Sequence, residues 1–261
     1  MTSKEGRLAG KAGVVTGATS GLGLAVLRAM TREGASIIAV GRDERRGRQI
    51  VDEVNREGGS AAFFRGDVGV EDDIAGAVDA CRTSFGQIDI MHNNAGYLVT
   101  RELHETTNEE WNASVATNLT AVFWGCKHAV LAMREQGRGG SIINTGSTAS
   151  FTATADTMSY VATKTGVLGI TRATALAYAA EGIRCNALCP GDFESPMLEA
   201  FFAGSEDPAA ARKEIEALYP TNRILKPEDV ANAAVFLASD DAHAVNGTTL
   251  VVDDAILAKT Y

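Results

Sequence analysis

Short apolar runs alternate along this chain with longer segments of helical periodicity, and the connections between them are brief. The runs are Ala12–Thr16, Ser36–Val40, Ala61–Phe64, Ile88–His92, Ser141–Thr145, Ile183–Leu188 and Thr248–Val252. Between them lie helical patterns over Leu22–Glu33, Glu44–Glu57, Glu71–Phe85, Asn108–Arg134 and Met158–Ala180. Pro196–Leu218 follows, as one or two helices with a Gly-Ser break, and then Pro227–Ala238. Alternation of strand and helix requires crossover connections, and crossovers produce parallel strands. A parallel sheet needs helices on both faces to bury its side chains. The expected fold is therefore α/β, a doubly wound seven-stranded parallel sheet with helices on both faces. No Pro-rich or low-complexity stretch divides the chain, so residues 1–261 are read as one unit.

Composition narrows the function classes. The 261 residues are 45% hydrophobic and 22% charged, which is ordinary for a globular protein and excludes a disordered or collagen-like chain. The formal net charge of −9 argues against a duplex nucleic acid or an anionic membrane surface as partner. No apolar run reaches the roughly 18 residues of a membrane-spanning helix. The start, Met1 to Arg7, carries charge with no apolar segment behind it, so a cytoplasmic location is expected. Cys81, Cys126, Cys185 and Cys189 form no C-x-x-C pair and are expected to be reduced and packed in the core. The four histidines show no metal-ligand spacing, and no metal is expected.

Glycine is enriched, at 27 residues against 5 prolines, and three glycines fall in the first strand–helix junction. The turn reads Thr16-Gly-Ala-Thr-Ser-Gly-Leu-Gly23. Gly17, Gly21 and Gly23 let the backbone turn tightly and approach a pyrophosphate, while free N–H groups at the start of the helix receive the anion. Tyr160 and Lys164 stand four apart on a helix and so share one face. An ammonium near a phenol favours phenolate, and a reference value near 10 would then fall toward the range useful for proton transfer at neutral pH.

These features occur with Asn93-Asn-Ala-Gly96 after the fourth strand, Asn118 in the first long helix, Ser147 after the fifth strand and Pro190-Gly191 after the sixth. In that order and spacing the chain resembles the short-chain dehydrogenase/reductase family over residues 8–255. The resemblance implies a Rossmann-like fold and an NAD(P)-dependent oxidoreductase that interconverts a secondary alcohol and a ketone. It also implies roles. Tyr160 would exchange a proton with the substrate oxygen, and Ser147 would orient that oxygen. Lys164 would tune Tyr160 and hold the nicotinamide ribose, and Asn118 would anchor a water near Lys164. Cofactor contacts are expected from Gly17, Ser20, Gly21, Leu22, Gly23, Arg42, Asp67, Val68, Asn94, Ala95, Gly96, Tyr160, Lys164, Pro190, Gly191, Phe193 and Ser195. A homotetramer is implied as well. The alternative is a non-catalytic nucleotide-binding regulator on the same fold.

The end of the second strand bears on cofactor choice. Where NAD-preferring members carry an acid for the adenosine ribose, this chain has Gly41, followed by Arg42. Glycine leaves room for a 2′-phosphate and arginine can pair with it, so NADP(H) is favoured, with NAD(H) possible. Ser20 stands where NADP-dependent members often place a basic residue. Residues 193–220 are expected to form a lid on the substrate side. Met197, Leu198, Phe201, Phe202 and Leu218 there are either an apolar wall for a small alcohol or ketone, or the buried face of a lid helix. Near the C-terminus the family's V-D-G-G is replaced by Val252-Asp-Asp-Ala255.

Overall fold

The computed structural model describes residues 6–259; the first five residues of the charged N-terminal start lie outside that range. Strands β1 (Ala12–Thr16), β2 (Ser36–Gly41), β3 (Ser60–Arg65), β4 (Ile90–Asn93), β5 (Gly140–Thr145), β6 (Ile183–Pro190) and β7 (Thr249–Val252) form one sheet in the order β3-β2-β1-β4-β5-β6-β7. Every neighbouring pair is parallel, with Val14 opposite Ile38 on one side and Met91 on the other. The strand order reverses between β1 and β4. In an open α/β sheet that reversal opens a crevice at the carboxyl ends of the strands, and ligands bind there.

Two apolar layers sandwich the sheet. Helices α1 (Gly21–Arg32) and α2 (Glu44–Arg56) contribute Leu27, Met30, Ile50 and Val54 to one layer. The other layer takes Ile74 and Val78 from α3 (Glu71–Phe85), and Val122, Cys126, Val130 and Met133 from the long fourth helical segment. All four cysteines are free and buried, as their spacing suggested. Among the described residues no helix is long and apolar enough to cross a membrane, and no cluster of three potential metal ligands occurs.

One element departs from its sequence pattern. Asn108–Arg134 reads as an uninterrupted helix, but the chain forms α4 (Asn108–Val115), a π-helical turn over Ala116–Thr120, and α5 (Ala121–Gln136). The backbone stays right-handed throughout, so the hydrophobic period hardly registers the extra residue. Tertiary bonds before and within the wide turn account for it. Ser114 in α4 meets Ser159 at 3.1 Å, while Asn118 inside the turn binds the peptide of Tyr97. The remaining helices are α6 (Met158–Tyr178), α7 (Pro196–Ala203), α8 (Pro208–Leu218) and α9 (Pro227–Ala238). The Gly204-Ser205 break therefore does separate two helices. α7 is started by Ser195, whose hydroxyl accepts the Leu198 N–H at 3.2 Å ahead of Pro196.

Candidate active site

The glycine turn connects β1 to α1 at the strand-order reversal. Gly17 has φ of 65°, and a Cβ on Gly23 would lie 2.2 Å from the Gly17 carbonyl oxygen, so these two positions admit only glycine without rearrangement. Thr16 ties the turn to the end of β4. Its hydroxyl oxygen accepts the Asn94 and Ala95 N–H groups at 2.9 and 3.1 Å, and Asn94 Nδ2 donates to the Thr16 carbonyl at 3.0 Å. Ser20, the N-cap of α1, makes no side-chain cap bond, and the first turn holds no acid. The leading N–H groups and the positive end of the helix dipole are thus kept for an anion. Leu22 sends its side chain into the core, so only its backbone can serve a ligand there. Ser195 lies against the turn as well: a Cβ on Gly21 would stand 3.5 Å from Ser195 Cβ. This cradle fits a dinucleotide pyrophosphate.

The polar residues of the second half converge beside it. Lys164, 3% exposed, donates from Nζ to the Thr145 carbonyl at 2.7 Å, and its Nζ lies 5.5 Å from the centre of the Tyr160 ring. Ser150 Oγ donates to the Lys164 carbonyl at 2.9 Å and fixes the first turns of α6 against the end of β5. Ser147 caps the short turn after β5, where its hydroxyl accepts the Ala149 N–H at 3.1 Å. Its hydroxyl also draws the Tyr160 phenol downward, against the rise that burial causes. A Cβ on Gly96 would stand 3.7 Å from Asn118 Oδ1 and 3.9 Å from Lys164 Nζ, which brings the end of β4 to the same place.

One expectation needs correction. Lys164 does not bring the Tyr160 phenol near neutrality: burial pushes it up to about 12, and the carboxyl of Asp192 and the thiol of Cys189 add to the rise. The reason is geometric, because the ammonium points to Thr145 and is itself lowered to about 8 by burial. The Asn118 side chain is tied to the loop after β4. Its Oδ1 accepts the Tyr97 N–H at 2.7 Å and its Nδ2 donates to the Tyr97 carbonyl at 2.7 Å, with Thr163 Oγ1 at 3.3 Å. Asn118 is fully buried and clamps the loop after β4.

The other expected cofactor residues are more scattered. The Asp67 carboxylate accepts the Gly69 N–H at 2.9 Å, and Val68 is half-buried beside it after β3. Gly191 donates to the Val252 carbonyl at 3.0 Å, next to Pro190 at the end of β6, and Phe193 pairs with Leu225 in an isolated bridge. Arg42 is exposed. Of the proposed apolar wall, Phe202 is buried under the Arg212 guanidinium, whereas Met197, Phe201 and Leu218 are exposed.

Sequence reasoning missed several partners. Arg46 donates from Nε to the Thr19 carbonyl in the glycine turn at 2.8 Å. The buried Tyr219 hydroxyl accepts the Asp192 N–H and donates to Asp192 Oδ2 at 2.9 Å. His92, fully buried, meets Thr145 Oγ1 at 3.0 Å and is pushed down to about 3 by burial and the nearby Lys164 charge. Each pair is distant in sequence, and none carries a local motif.

Comparison with known proteins agrees with this geometry. A family model described as enoyl-(acyl carrier protein) reductase matches residues 17–254. The chain is 40% identical over 247 residues to 3beta-hydroxysteroid dehydrogenase 1 of Eggerthella lenta, covering 94% of this chain and 93% of that protein. It is 34% identical to cyclohexanol dehydrogenase of an Acinetobacter species, covering 95% of this chain and 96% of the relative. A solved structure from Burkholderia xenovorans, assigned as a short-chain dehydrogenase/reductase, superposes with a TM-score of 0.93 at 33% identity, covering 98% of this chain and all of that one.

Proposed function

The chain belongs to the short-chain dehydrogenase/reductase family, and from that premise we propose the roles its residues play. It is an NAD(P)-dependent oxidoreductase of small-molecule alcohols and ketones. The observation that carries the assignment of roles is the convergence of Tyr160, the Ser147 hydroxyl and the buried Lys164 ammonium beside the glycine cradle. Gly17, Gly21, Gly23 and Lys164 would hold the nicotinamide cofactor, which would supply or accept the hydride. Ser147 donates a hydrogen bond to the substrate oxygen and opposes the charge that develops there. Tyr160, held protonated by burial, gives its phenolic proton to that oxygen in the reductive direction and takes it back in the oxidative one. Lys164 holds positive charge under the site, and Asn118 positions the Gly96–Tyr97 backbone next to it.

We infer a preference for NADP(H) over NAD(H). Support comes from Gly41, which offers no carboxylate, and from three arginines around it: Arg42, exposed; Arg46, on the Thr19 carbonyl; and Arg65, opposite Gly41 in register. The substrate we propose is an apolar, cyclic secondary alcohol or its ketone, covered by residues 193–220. The exposed Met197, Phe201 and Leu218 and the ring alcohols named for the two relatives support it.

A panel of cyclic and open-chain alcohols and ketones, assayed with both cofactors, tests the reading. Tyr160→Phe should abolish turnover while cofactor affinity stays within a few fold; near-normal turnover would sink the proton-transfer role. Arg42→Ala should lower kcat/KM with NADPH by about 10- to 150-fold, the worth of a charge-assisted hydrogen bond, and leave NADH unchanged. Gly41→Asp would place a Cβ 2.7 Å from Thr19 Cγ2, so the Thr19 side chain must shift to admit it. A parent enzyme that prefers NADH would refute the preference.

A further inference from the structure

The turn after β7 is built from residues that its backbone does not favour. Asp254 and Ala255 have φ of 51° and 68°, the left-handed region that side-chain-bearing residues enter at a cost. Asp253 holds the turn from within, its carboxylate accepting the Ala255 and Leu257 N–H groups at 3.0 and 2.9 Å. Strain of this kind persists only where surrounding contacts over-determine the conformation, and those contacts all lead to one place. Asp254 Oδ2 accepts the Thr221 hydroxyl at 2.6 Å and meets Arg223 at 3.2 Å. Lys259 Nζ donates to the Leu218 carbonyl at 3.2 Å, at the end of α8. Thr221 and Arg223 are the residues through which the chain leaves α8 and Tyr219. Arg223 also reaches Asp229 at 3.2 Å and so joins the start of α9 to the same point.

We propose that Asp254 is a positioning residue for substrate binding: it latches the exit of the segment 193–220 onto the C-terminal turn. The proposal rests on the reading of that segment as the cover of the substrate site. The entrance of the segment is already tied down, because the Asp192 carbonyl accepts the Leu225 N–H at 3.1 Å and the Asp192 side chain holds the Tyr219 hydroxyl. Asp254 supplies a second hold beside it, from the turn after β7 onto Thr221 and Arg223. A glycine at 254 would relax the backbone and lose both bonds. The residue therefore trades local backbone ease for a fixed cover, and the substrate then meets α7 and α8 already in place.

The test compares parent, Asp254→Gly and Asp254→Asn as full-length proteins by hydrogen exchange, NADPH titration and steady-state kinetics. In Asp254→Gly, amides of residues 208–223 should exchange about tenfold faster, the scale of a lost charge-assisted hydrogen bond. KM for the substrate should rise severalfold, NADPH affinity should stay within about twofold, and Tm should stay close to the parent's, because the relieved strain offsets the two lost bonds. Asp254→Asn keeps an acceptor for Thr221 and tolerates the left-handed backbone, so it should fall between the two. Unchanged exchange in Asp254→Gly overturns the latch, whatever happens to KM. Faster exchange with unchanged KM leaves the tie in place and overturns the reading of 193–220 as the substrate cover. A lower Tm together with weakened NADPH binding would mean general loosening and overturns the positioning role.

Discussion

Lys164 carries its charge in a place that opposes it. Burial lowers the ammonium from 10.5 to about 8, a difference worth about 3 kcal/mol at ~1.36 kcal/mol per pH unit. Below pH 8 both folded and unfolded chains are protonated, and the burial cost is present in full. Between pH 8 and 10.5 the unfolded chain binds more proton, so stability rises with pH; above 10.5 the cost has vanished. Lys164→Met should therefore be inactive yet more stable than the parent at pH 7, with the gap closing between pH 8 and 10.5. A gap in denaturant midpoint that ignores pH would refute this. His92 acts on the acid side. With its folded value near 3 against 6.5 unfolded, it withdraws stability as pH falls from 6.5 toward 3, and His92→Asn should blunt that loss. The four-residue spacing of Tyr160 and Lys164 was legible because helix geometry is local. Their protonation was not, because it is set by what surrounds them.

Among the elements, the π turn holds Asn118, to which we assign a positioning role. By widening the helix at Ala116–Thr120 it lets Asn118 reach the Tyr97 peptide while Val122 and Cys126 of α5 still face the core. Removing the side chain would strand a backbone donor and acceptor in a part-buried loop, at about 1–3 kcal/mol for each group. Asn118→Ala should thus lower the urea midpoint at unchanged m-value and reduce kcat more than NADPH affinity. Equal stability with full activity would show that the clamp is dispensable. Periodicity predicted a helix over these residues but not its inserted turn. A single extra residue shifts the apolar phase too little to be read, and the bonds that retain it come from other elements.

At the level of the whole molecule, large apolar side chains remain on the outer faces of the long helices. Phe123 is 51% exposed, Leu131 54% and Leu176 85%. A helix that is apolar beyond its core stripe calls for a second partner surface. The homotetramer we propose would cover them, so light scattering should give about four times the 27.4 kDa of one chain. Phe123→Glu combined with Leu176→Glu should yield smaller particles. A parent protein that scatters as a single chain at micromolar concentration would refute the assembly.

The sequence by itself determined what depends on neighbours along the chain. Alternating strand and helix patterns dictated a parallel sheet, Gly17 and Gly23 dictated the turn at its first crossover, and the Tyr160–Lys164 spacing put two polar groups on one helical face. Each follows from steric limits or periodicity acting over a few residues. Only the tertiary structure decided which partners those groups have. It turned Lys164 to Thr145, spent Asn118 on Tyr97, joined Asp192 to Tyr219, and forced Asp254 into a left-handed turn opposite Thr221. Those outcomes depend on desolvation and on contacts between residues far apart in sequence, which exist only once the layers have packed.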